Sequence, residues 1–426
     1  MFDGIKSLLN RERVFFINLL GSSLLPVIQL VLYFLYDNDV YGKYILFMAL
    51  VQVQNPLINL KYEFNFNNDH LGNVKIIESI RKHLFGNFFV VLILEFLVFN
   101  QLFEYDLVES VVGVFAVLCV PIYLLYCYYL MFSGNTKQFF FFKMAMPAFF
   151  LLFVCLDLFV VDLGGSLIFF AFLAHTVPFL VLVMLERKHL LSIWPRFQDF
   201  RLFQFSVIRE RWRYLSAGLL DNLSLYFPVF VISKFFAFDI VGQFGYITKI
   251  LVFPQVFLAQ PISAHIQISF AKKNLRFIGK IFGLSIAAIF VYLVLFSGIS
   301  WLLRDLIEKY VEMLSGGAFY VLFAVILSYS LKVVVNPISV ILYVNNDGRR
   351  LQLSQLVLFF GEVVASILAF VLTDEYYEYL LIQSLVATAS YMFYYINIIA
   401  SLKKAQLNVA KEADDHLKTA EIGSSD

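Results

Sequence analysis

The residues of this sequence best suited to chemistry are charged side chains that interrupt long apolar stretches. Lys249 carries a cationic amine that can hold an anion, and a second lysine, Lys332, lies in another apolar stretch. Asp221, Glu95 and Glu362 carry carboxyl groups that can take up a proton or a metal cation. Such groups are costly in apolar surroundings unless they are paired, protonated or hydrated, so the fold must place them against a partner or a cavity.

The elements that carry these residues are long apolar helices. The chain has 426 residues, of which 61% are hydrophobic and only 15% are charged, a composition that excludes a soluble globular protein. Apolar runs of roughly 20 residues are long enough to cross a bilayer as helices, and their lack of period-two alternation argues against a β-barrel. The predicted spans are 14–36, 41–60, 84–103, 108–132, 138–161, 164–185, 213–234, 240–262, 277–301, 316–338, 351–372 and 377–400.

These spans predict an all-α polytopic membrane protein with about twelve transmembrane helices in two six-helix bundles around a central cavity. Lys249 lies about nine residues from one end of its span, which places it near mid-membrane at roughly 1.5 Å per residue. A charge facing lipid there would cost roughly 2.5 to 3.5 kcal/mol. Lys249 is therefore expected either to contact an anionic ligand from a cavity wall or to hold two helices together in an ion pair.

The three carboxyl groups leave similar alternatives open. Each one could pair with a buried lysine, could be protonated, or could bind a coupling proton or sodium ion that favours one of two conformations. Asp221 is the preferred candidate for a coupling-ion site, followed by Glu362 and Glu95, against a structural role for each. His175 titrates near neutral pH in its ordinary state, but a lone helical histidine is more often a packing residue.

Basic residues at helix ends form a third group. Lys61 and Arg213 are expected at membrane interfaces, where they either anchor the helix or attract an anion towards a cavity. Lys332 depends on where its helix stops. An end near Pro337 would leave the amine at a rim, whereas a helix that continues to Val344 would place it deeper.

Several classes of protein are excluded by what the sequence lacks. With a formal net charge of +1 and no basic cluster interleaved with aromatic residues, binding to nucleic acid is not expected. Cys119, Cys127 and Cys155 lie inside apolar runs and predict buried thiols rather than disulfides or metal ligands. Enzyme signatures and nucleotide-binding loops are absent, so we expect no enzyme, no cofactor and no ATP-driven pump.

The basic residues also predict the orientation of the chain. Lys and Arg concentrate in the termini and the even-numbered loops, which the positive-inside rule assigns to the cytoplasm. The first 13 residues lack a signal-peptide pattern, so the first helix is expected to be retained. The predicted parts are an N-terminal bundle at 1–185, a basic cytoplasmic linker at 186–212, a C-terminal bundle at 213–400 and a cytoplasmic polar tail at 401–426, disordered or a frayed helix.

An internal repeat supports two related halves. The sequence Asp39-Val40-Tyr41-Gly42-Lys43-Tyr44 follows the first span, and Asp239-Ile240-Val241-Gly242-Gln243-Phe244 follows the seventh. Both have the order Asp, aliphatic, any, Gly, any, aromatic. Because six crossings separate them, the halves enter the membrane in the same sense, related by an axis along the membrane normal.

These segments, taken with a few others, resemble a known family. Similar motifs occur in the Wzx-type polysaccharide flippases of the multidrug/oligosaccharidyl-lipid/polysaccharide (MOP) exporter superfamily. The segments that carry the resemblance are Val40 to Tyr44, Leu60-Lys61-Tyr62-Glu63, Asn222-Leu223-Ser224, Val241 to Phe244, Pro254, Gln260-Pro261 and Tyr343 to Arg350. Length, helix count, cytoplasmic termini and the central basic loop agree with it.

The resemblance implies a flippase of the bacterial inner membrane that moves undecaprenyl-diphosphate-linked oligosaccharide outwards by alternating access, for O-antigen, capsule or exopolysaccharide. It implies membrane lipid and polysaccharide polymerase machinery as partners, and a cavity in which Lys249, Lys332, Lys61 and Arg213 meet the diphosphate. The alternative within the superfamily is a cation-coupled multidrug or metabolite exporter. A membrane polymerase or ligase would place a large polar loop outside, whereas the longest loop here is predicted inside.

Overall fold

The computed structural model of the protein describes most of the predicted spans. Its described residues are 20–21, 23–59, 93, 96–103, 105–133, 135–160, 167–185, 205–271, 275–305, 319–345, 347–372 and 375–423. Within these ranges every regular element is a helix, so the predicted all-helical class is confirmed. The chain divides into two compact units, Met1–Phe257 and Leu258–Asp426.

The first unit contains seven elements and part of an eighth in its described residues. They are α1 (Ser23–Leu35), α2 (Asn38–Asn59), the π-helix π1 (Val98–Leu102), α3 (Leu107–Ser133), α4 (Thr136–Phe159), α5 (Leu167–Leu185), α6 (Phe205–Phe235) and the first part of α7 (Phe238–Ala271).

The second unit holds the rest of α7 and five further helices. These are α8 (Leu275–Leu302), α9 (Phe319–Ile338), α10 (Val340–Val344), α11 (Gly348–Leu372) and α12 (Tyr376–Gly423). Helix α12 packs against both α9 and α11. A Cβ added at Gly361 of α11 would lie 2.7 Å from the Ser390 hydroxyl of α12, so the glycine lets these two helices approach closely.

Helix α2 lies at the centre of the first unit, packed against α3, α5 and α6. Its large side chains Tyr41, Tyr44 and Phe47 are almost completely buried. The Tyr44 ring stacks on Phe150 of α4, and its hydroxyl accepts a hydrogen bond of 2.7 Å from the amide of Gln29 on α1. Aromatic packing and one buried hydrogen bond thus fix α1 and α4 on α2.

The π-helix at the end of the third predicted span makes a second anchor on α2. Phe99 of π1 is fully buried, and a Cβ added at Gly113 of α3 would lie 2.7 Å from its ring. The Tyr105 hydroxyl in the following turn donates to the Lys43 carbonyl of α2 at 3.0 Å. Burial raises the pKa of Tyr105, so this hydroxyl remains a donor across the physiological range.

Six helical segments among the described residues are long and apolar enough to cross a membrane. They are Leu107–Cys127, Lys137–Phe159, Trp212–Phe235, Tyr320–Val344, Gly348–Ala369 and Tyr376–Leu407, and three shorter apolar helices are Ser23–Leu35, Leu167–Val181 and Ile286–Leu302. Helix α2 belongs to neither group, because polar residues such as Gln52 and Gln54 interrupt it, and Lys249 likewise interrupts the apolar sequence of α7. In a membrane such helices need protein or water beside their polar faces.

The structure bears on two predicted boundaries, the end of the helix that carries Lys332 and the start of the polar tail. Helix α9 ends at Ile338, and after Ser339 the short α10 continues to Val344, so the chain remains helical past Pro337. Helix α12 runs to Gly423, so the predicted tail at 401–426 is helical through most of its length. The predicted linker at 186–212 is described only from Phe205, where α6 begins, and the division of the chain at this linker stays a prediction.

Candidate functional site

The repeated turns have the same local structure at an offset of 200 residues. Helix α1 ends at Leu35 and α2 begins at Asn38, while α6 ends at Phe235 and α7 begins at Phe238. The aspartate of each repeat, Asp39 or Asp239, lies in the first helical turn. A carboxylate there is favoured by the partial positive charge of a helix N-terminus.

The glycines of the two repeats lie against each other. A Cβ added at Gly42 would overlap the carbonyl oxygen of Phe238 and lie 3.1 Å from the backbone nitrogen of Gly242. A Cβ added at Gly242 would lie 2.5 Å from the carbonyl oxygen of Asn38 and 3.3 Å from the backbone nitrogen of Gly42. We call this reciprocal backbone contact of Gly42 and Gly242 with Phe238 and Asn38 the glycine crossing.

Aromatic rings surround the glycine crossing. Tyr33 of α1 stacks on Tyr246 of α7 with ring centroids 4.2 Å apart and an interplanar angle of 13°. Phe34 meets the Tyr246 ring edge-on at 5.4 Å, and Tyr41 meets Tyr33 at 5.6 Å. The Lys43 ammonium lies 5.7 Å from the centroid of the Phe238 ring. The helix hairpins α1–α2 and α6–α7 are thus held together by rings and backbone rather than by ion pairs at this point.

Lys249 lies two helical turns, or about 10 Å, further along α7 from Gly242. Residues at i, i+3 and i+7 share one helix face, so Lys249 shares its face with Gly242 and with Gly245, which packs against Ile45 of α2. The equivalent position of the first repeat is Ala49, which is fully buried. Lys249 is half-buried, and among the described residues no carboxylate forms an ion pair with it.

The family-like segment of α6 contacts α2 on the same side. The Asn222 amide donates a hydrogen bond of 2.6 Å to the Gln52 carbonyl, 170 residues earlier in the chain. Asp221 is half-buried beside it, and the Ser224 hydroxyl donates to the Asp221 carbonyl at 2.9 Å. Helix α6 thus brings polar groups against the centre of the first unit, as a polar pathway requires.

The sequence analysis missed a third lysine, Lys143, which lies seven residues into α4. A Cβ added at Gly21, two residues before α1, would overlap the Cγ atom of Lys143 and lie 3.2 Å from its carbonyl oxygen, so the glycine makes room for the lysine stem. The ammonium also interacts electrostatically with the thiol of Cys127 on α3. Its position inside the predicted span 138–161 could have identified it as a charge within a helix. It was overlooked because the positive-inside count assigned it to the preceding loop.

The second unit contains a buried polar cluster on α9, α11 and α12. Glu362 is 5% exposed, and its two carboxylate oxygens accept from the Gln383 amide at 3.1 and 3.0 Å. Lys332 is 6% exposed, lies 4.4 Å from the centroid of the Tyr329 ring, and interacts electrostatically with Glu362. The structure therefore places the predicted residues Lys332 and Glu362 within electrostatic range of each other, with the Lys332 side chain buried.

Further hydroxyl groups line this cluster. The Ser366 hydroxyl donates to the Glu362 carbonyl at 2.9 Å, one helical turn along α11. Tyr379, one turn before Gln383 on α12, is almost fully buried and lies within electrostatic range of Glu362. A buried carboxyl group beside an amide, an ammonium and two hydroxyl groups can take up and release a proton.

The remaining predicted residues lie elsewhere. Arg213 is exposed near the start of α6, at the place where an interfacial anchor is expected. His175 is buried, and its Nδ1 donates to the Ala171 carbonyl at 2.6 Å within the same helix, as a packing histidine does. Lys61 and Glu95 fall outside the described residues. Within the described ranges no three His, Cys, Asp or Glu side chains are arranged to hold a metal ion.

The whole fold is similar to solved structures of MATE transporters. The chain is similar to the crystal structure of MATE in complex with MaL6, with a TM-score of 0.63 and 11% identity over 93% of this chain and 96% of that chain. It is also similar to a multidrug resistance MATE family transporter of the MOP superfamily in two conformations. The inward-facing conformation gives a TM-score of 0.58 at 11% identity, over 92% of this chain and 94% of that chain.

The outward-facing conformation gives a TM-score of 0.57 at 13% identity, over 94% of this chain and 96% of that chain. No protein-family model matches the sequence, and no curated protein matches it. Identities this low report on fold rather than on substrate. The chain is a multi-pass membrane protein with the fold of the MATE transporters of the MOP superfamily.

Proposed function

We propose that this protein is a secondary exporter that works by alternating access. The observation that carries the proposal is the fold match, which covers more than nine-tenths of the chain and includes one transporter solved both inward-facing and outward-facing. A fold that has two such states can carry a polar molecule across hydrocarbon without opening a continuous pore. The polar helices α2 and α7, with Lys249 between apolar neighbours, supply the polar surface such a path needs.

The first candidate for the cargo is a drug or metabolite exported against a cation gradient. The structures that share this fold include a multidrug resistance transporter. The cluster of Glu362, Gln383 and Lys332 offers a place where a proton or sodium ion could bind in one conformation and leave in the other. Asp221, on the polar side of α6, is the second candidate for that role, and Glu95 is the third.

The second candidate cargo is an undecaprenyl-diphosphate-linked oligosaccharide, and one observation favours it. Two lysines within predicted spans of the first unit, Lys249 and Lys143, have no carboxylate among the described residues as an electrostatic partner. An ammonium in this setting suits a phosphate group, because a charge-assisted hydrogen bond satisfies both partners in a region of low dielectric. Lys332, Lys61 and Arg213 would be secondary contacts, and the sequence segments that include Gly42 and Gly242 resemble those of Wzx-type flippases.

The decisive experiment is deletion of the gene in its native host. Loss of surface polysaccharide, with an undecaprenyl-diphosphate repeat unit left facing the cytoplasm, is the result expected of a flippase. Normal polysaccharide with increased sensitivity to cationic drugs is the result expected of a drug exporter. If purified protein in vesicles moved neither class of molecule under a proton or sodium gradient, the exporter proposal itself would be wrong.

A further inference from the structure

The glycine crossing relates the two repeats in a symmetrical way. Gly42 lies against the first residue of α7, and Gly242 lies against the first residue of α2, so residues 38, 42, 238 and 242 form two equivalent contacts. Such reciprocity is the arrangement of a two-fold interface, in which residue i meets j and j meets i. The two hairpins therefore meet at equal heights, through backbone rather than through interlocked side chains.

The symmetry stops one turn further on, and the contact between helices changes there. Position 45 of the first repeat is Ile, whereas position 245 of the second repeat is Gly, and a Cβ at Gly245 would lie 2.8 Å from the Ile45 side chain. The isoleucine fills the room that the glycine leaves. Beyond this layer come Ala49 on α2 and Lys249 on α7. Ile45 and Gly245, one residue from each helix, therefore form the apolar layer between the crossing and the lysine.

We propose that the glycine crossing is the closure of the transport pathway at the membrane face where the 35–38 and 235–238 turns lie. The positive-inside rule predicts that this face is the outer one. The proposal rests on the proposed function, since a closure has meaning only if a pathway exists. Lys249 then lies directly beneath the closure, accessible from the opposite side.

The chemistry of the crossing suits a contact that opens and closes repeatedly. Two glycines present flat backbone surfaces, so the helices can separate without changing a side-chain rotamer. The stacked rings of Tyr33 and Tyr246 and the Lys43 ammonium over Phe238 add weak contacts around it, none of which is a buried ion pair. A closure made of several weak contacts is balanced finely enough for a bound ligand to shift it.

Substitution of either glycine by alanine tests the proposal. Gly42→Ala and Gly242→Ala each place a methyl group on the opposing backbone, so the closed contact cannot form without separating the helices. The reporter is Lys249→Cys, in a protein whose Cys119, Cys127 and Cys155 are replaced, labelled from outside with a membrane-impermeant thiol reagent. External labelling should rise about tenfold or more, as expected when a minor open state becomes the major one.

Matched controls come from α8. A Cβ added at Gly283 or Gly298 would meet no atom within 4 Å, so Gly283→Ala and Gly298→Ala carry the same chemical change without a steric conflict. Labelling at position 249 should be unchanged in both variants. External labelling that stays at the reference level in well-folded Gly42→Ala and Gly242→Ala would overturn the proposal.

A cross-link tests the same closure if the alanine variants fold poorly. Ile45→Cys with Gly245→Cys places two thiols within disulfide reach, because the Ile45 side chain already lies 2.8 Å from the Cβ position of residue 245. Oxidation should consume both thiols, seen as loss of the mass shift with a maleimide polymer, and transport should stop until reductant is added. Full cross-linking with unchanged transport would contradict a closure at this contact.

These readouts separate the two proposals. Labelling and cross-linking need no cargo, so a large increase in labelling without transport of either cargo would retain the closure and refute the proposed function. Normal transport with unchanged labelling would refute the closure alone.

Discussion

Loss of the buried ammonium in the second unit gives the sharpest quantitative prediction. Lys332→Met keeps the length and most of the volume of the side chain but removes its charge. Glu362 would remain 5% exposed with Gln383 as its amide donor and without its cationic neighbour. Loss of this compensating cation should cost up to about 3 to 5 kcal/mol, the range for a broken buried ion pair, because the carboxylate stays buried without it.

The loss of stability in Lys332→Met should depend on the charge of Glu362 and on pH. In the double variant Lys332→Met with Glu362→Gln both charges are gone, so the free energy of unfolding should return to within about 1 kcal/mol of the wild-type value. The single variant should also recover stability between about pH 8 and about pH 5, because a protonated carboxyl group needs no cation. The free energy of unfolding rises as the pH falls because the charged form of the carboxyl group is the form that is costly to bury.

The measurement is the free energy of unfolding in mixed micelles, followed by tryptophan fluorescence during titration with denaturing detergent. Glu362→Gln alone completes a double-mutant cycle with Lys332→Met and the double variant, since each single variant removes one of the two charges. The reasoning is refuted if Lys332→Met lies within about 1 kcal/mol of wild type, or if the double variant is as unstable as the two single variants added together.

Three further predictions concern the first unit and the topology. Lys249→Ala should lower transport about 10- to 100-fold at normal membrane abundance, because it removes a charge-assisted contact worth about 1.5 to 3 kcal/mol. Lys249→Arg should keep part of the transport activity. Wild-type transport by Lys249→Ala at equal abundance would exclude a role for Lys249 in cargo binding. Asp221→Asn should change the dependence of transport on pH or sodium, measured in vesicles, and an unchanged dependence would leave Asp221 structural. Reporter fusions should place Asp199 in the cytoplasm and Lys309 outside, and an external Asp199 would contradict the orientation.

Much of the fold follows from local sequence, because long apolar runs leave a bilayer-spanning chain few alternatives. The repeat around Asp39 and Asp239 also predicts two equivalent turns, and the structure places both at an offset of 200 residues. The contact between Gly42 and Gly242 is not predictable in this way. A glycine near the start of a helix has several local explanations, and only the packing of α2 on α7 selects one.

The site residues show the same limit. Lys332 was ambiguous because Pro337 suggests a helix end, and the continued α10 decides it in favour of a deep position. Its proximity to Glu362 depends on the packing of three helices, which no spacing along the chain encodes. Lys143 was missed because its span begins at 138, so a lysine one turn and a half into the helix is counted with the loop.

The cluster on α9, α11 and α12 also bears on how the chain is made. Lys332 and Glu362 belong to helices that are synthesised before Gln383 of α12, which supplies the amide for the carboxylate. Until α12 enters the bilayer, the carboxylate lacks this donor, and α9 and α11 lack their largest common packing surface. A chain interrupted during synthesis before α12 would expose charged residues to lipid, at a cost of roughly 2.5 to 3.5 kcal/mol for each charge at the bilayer centre.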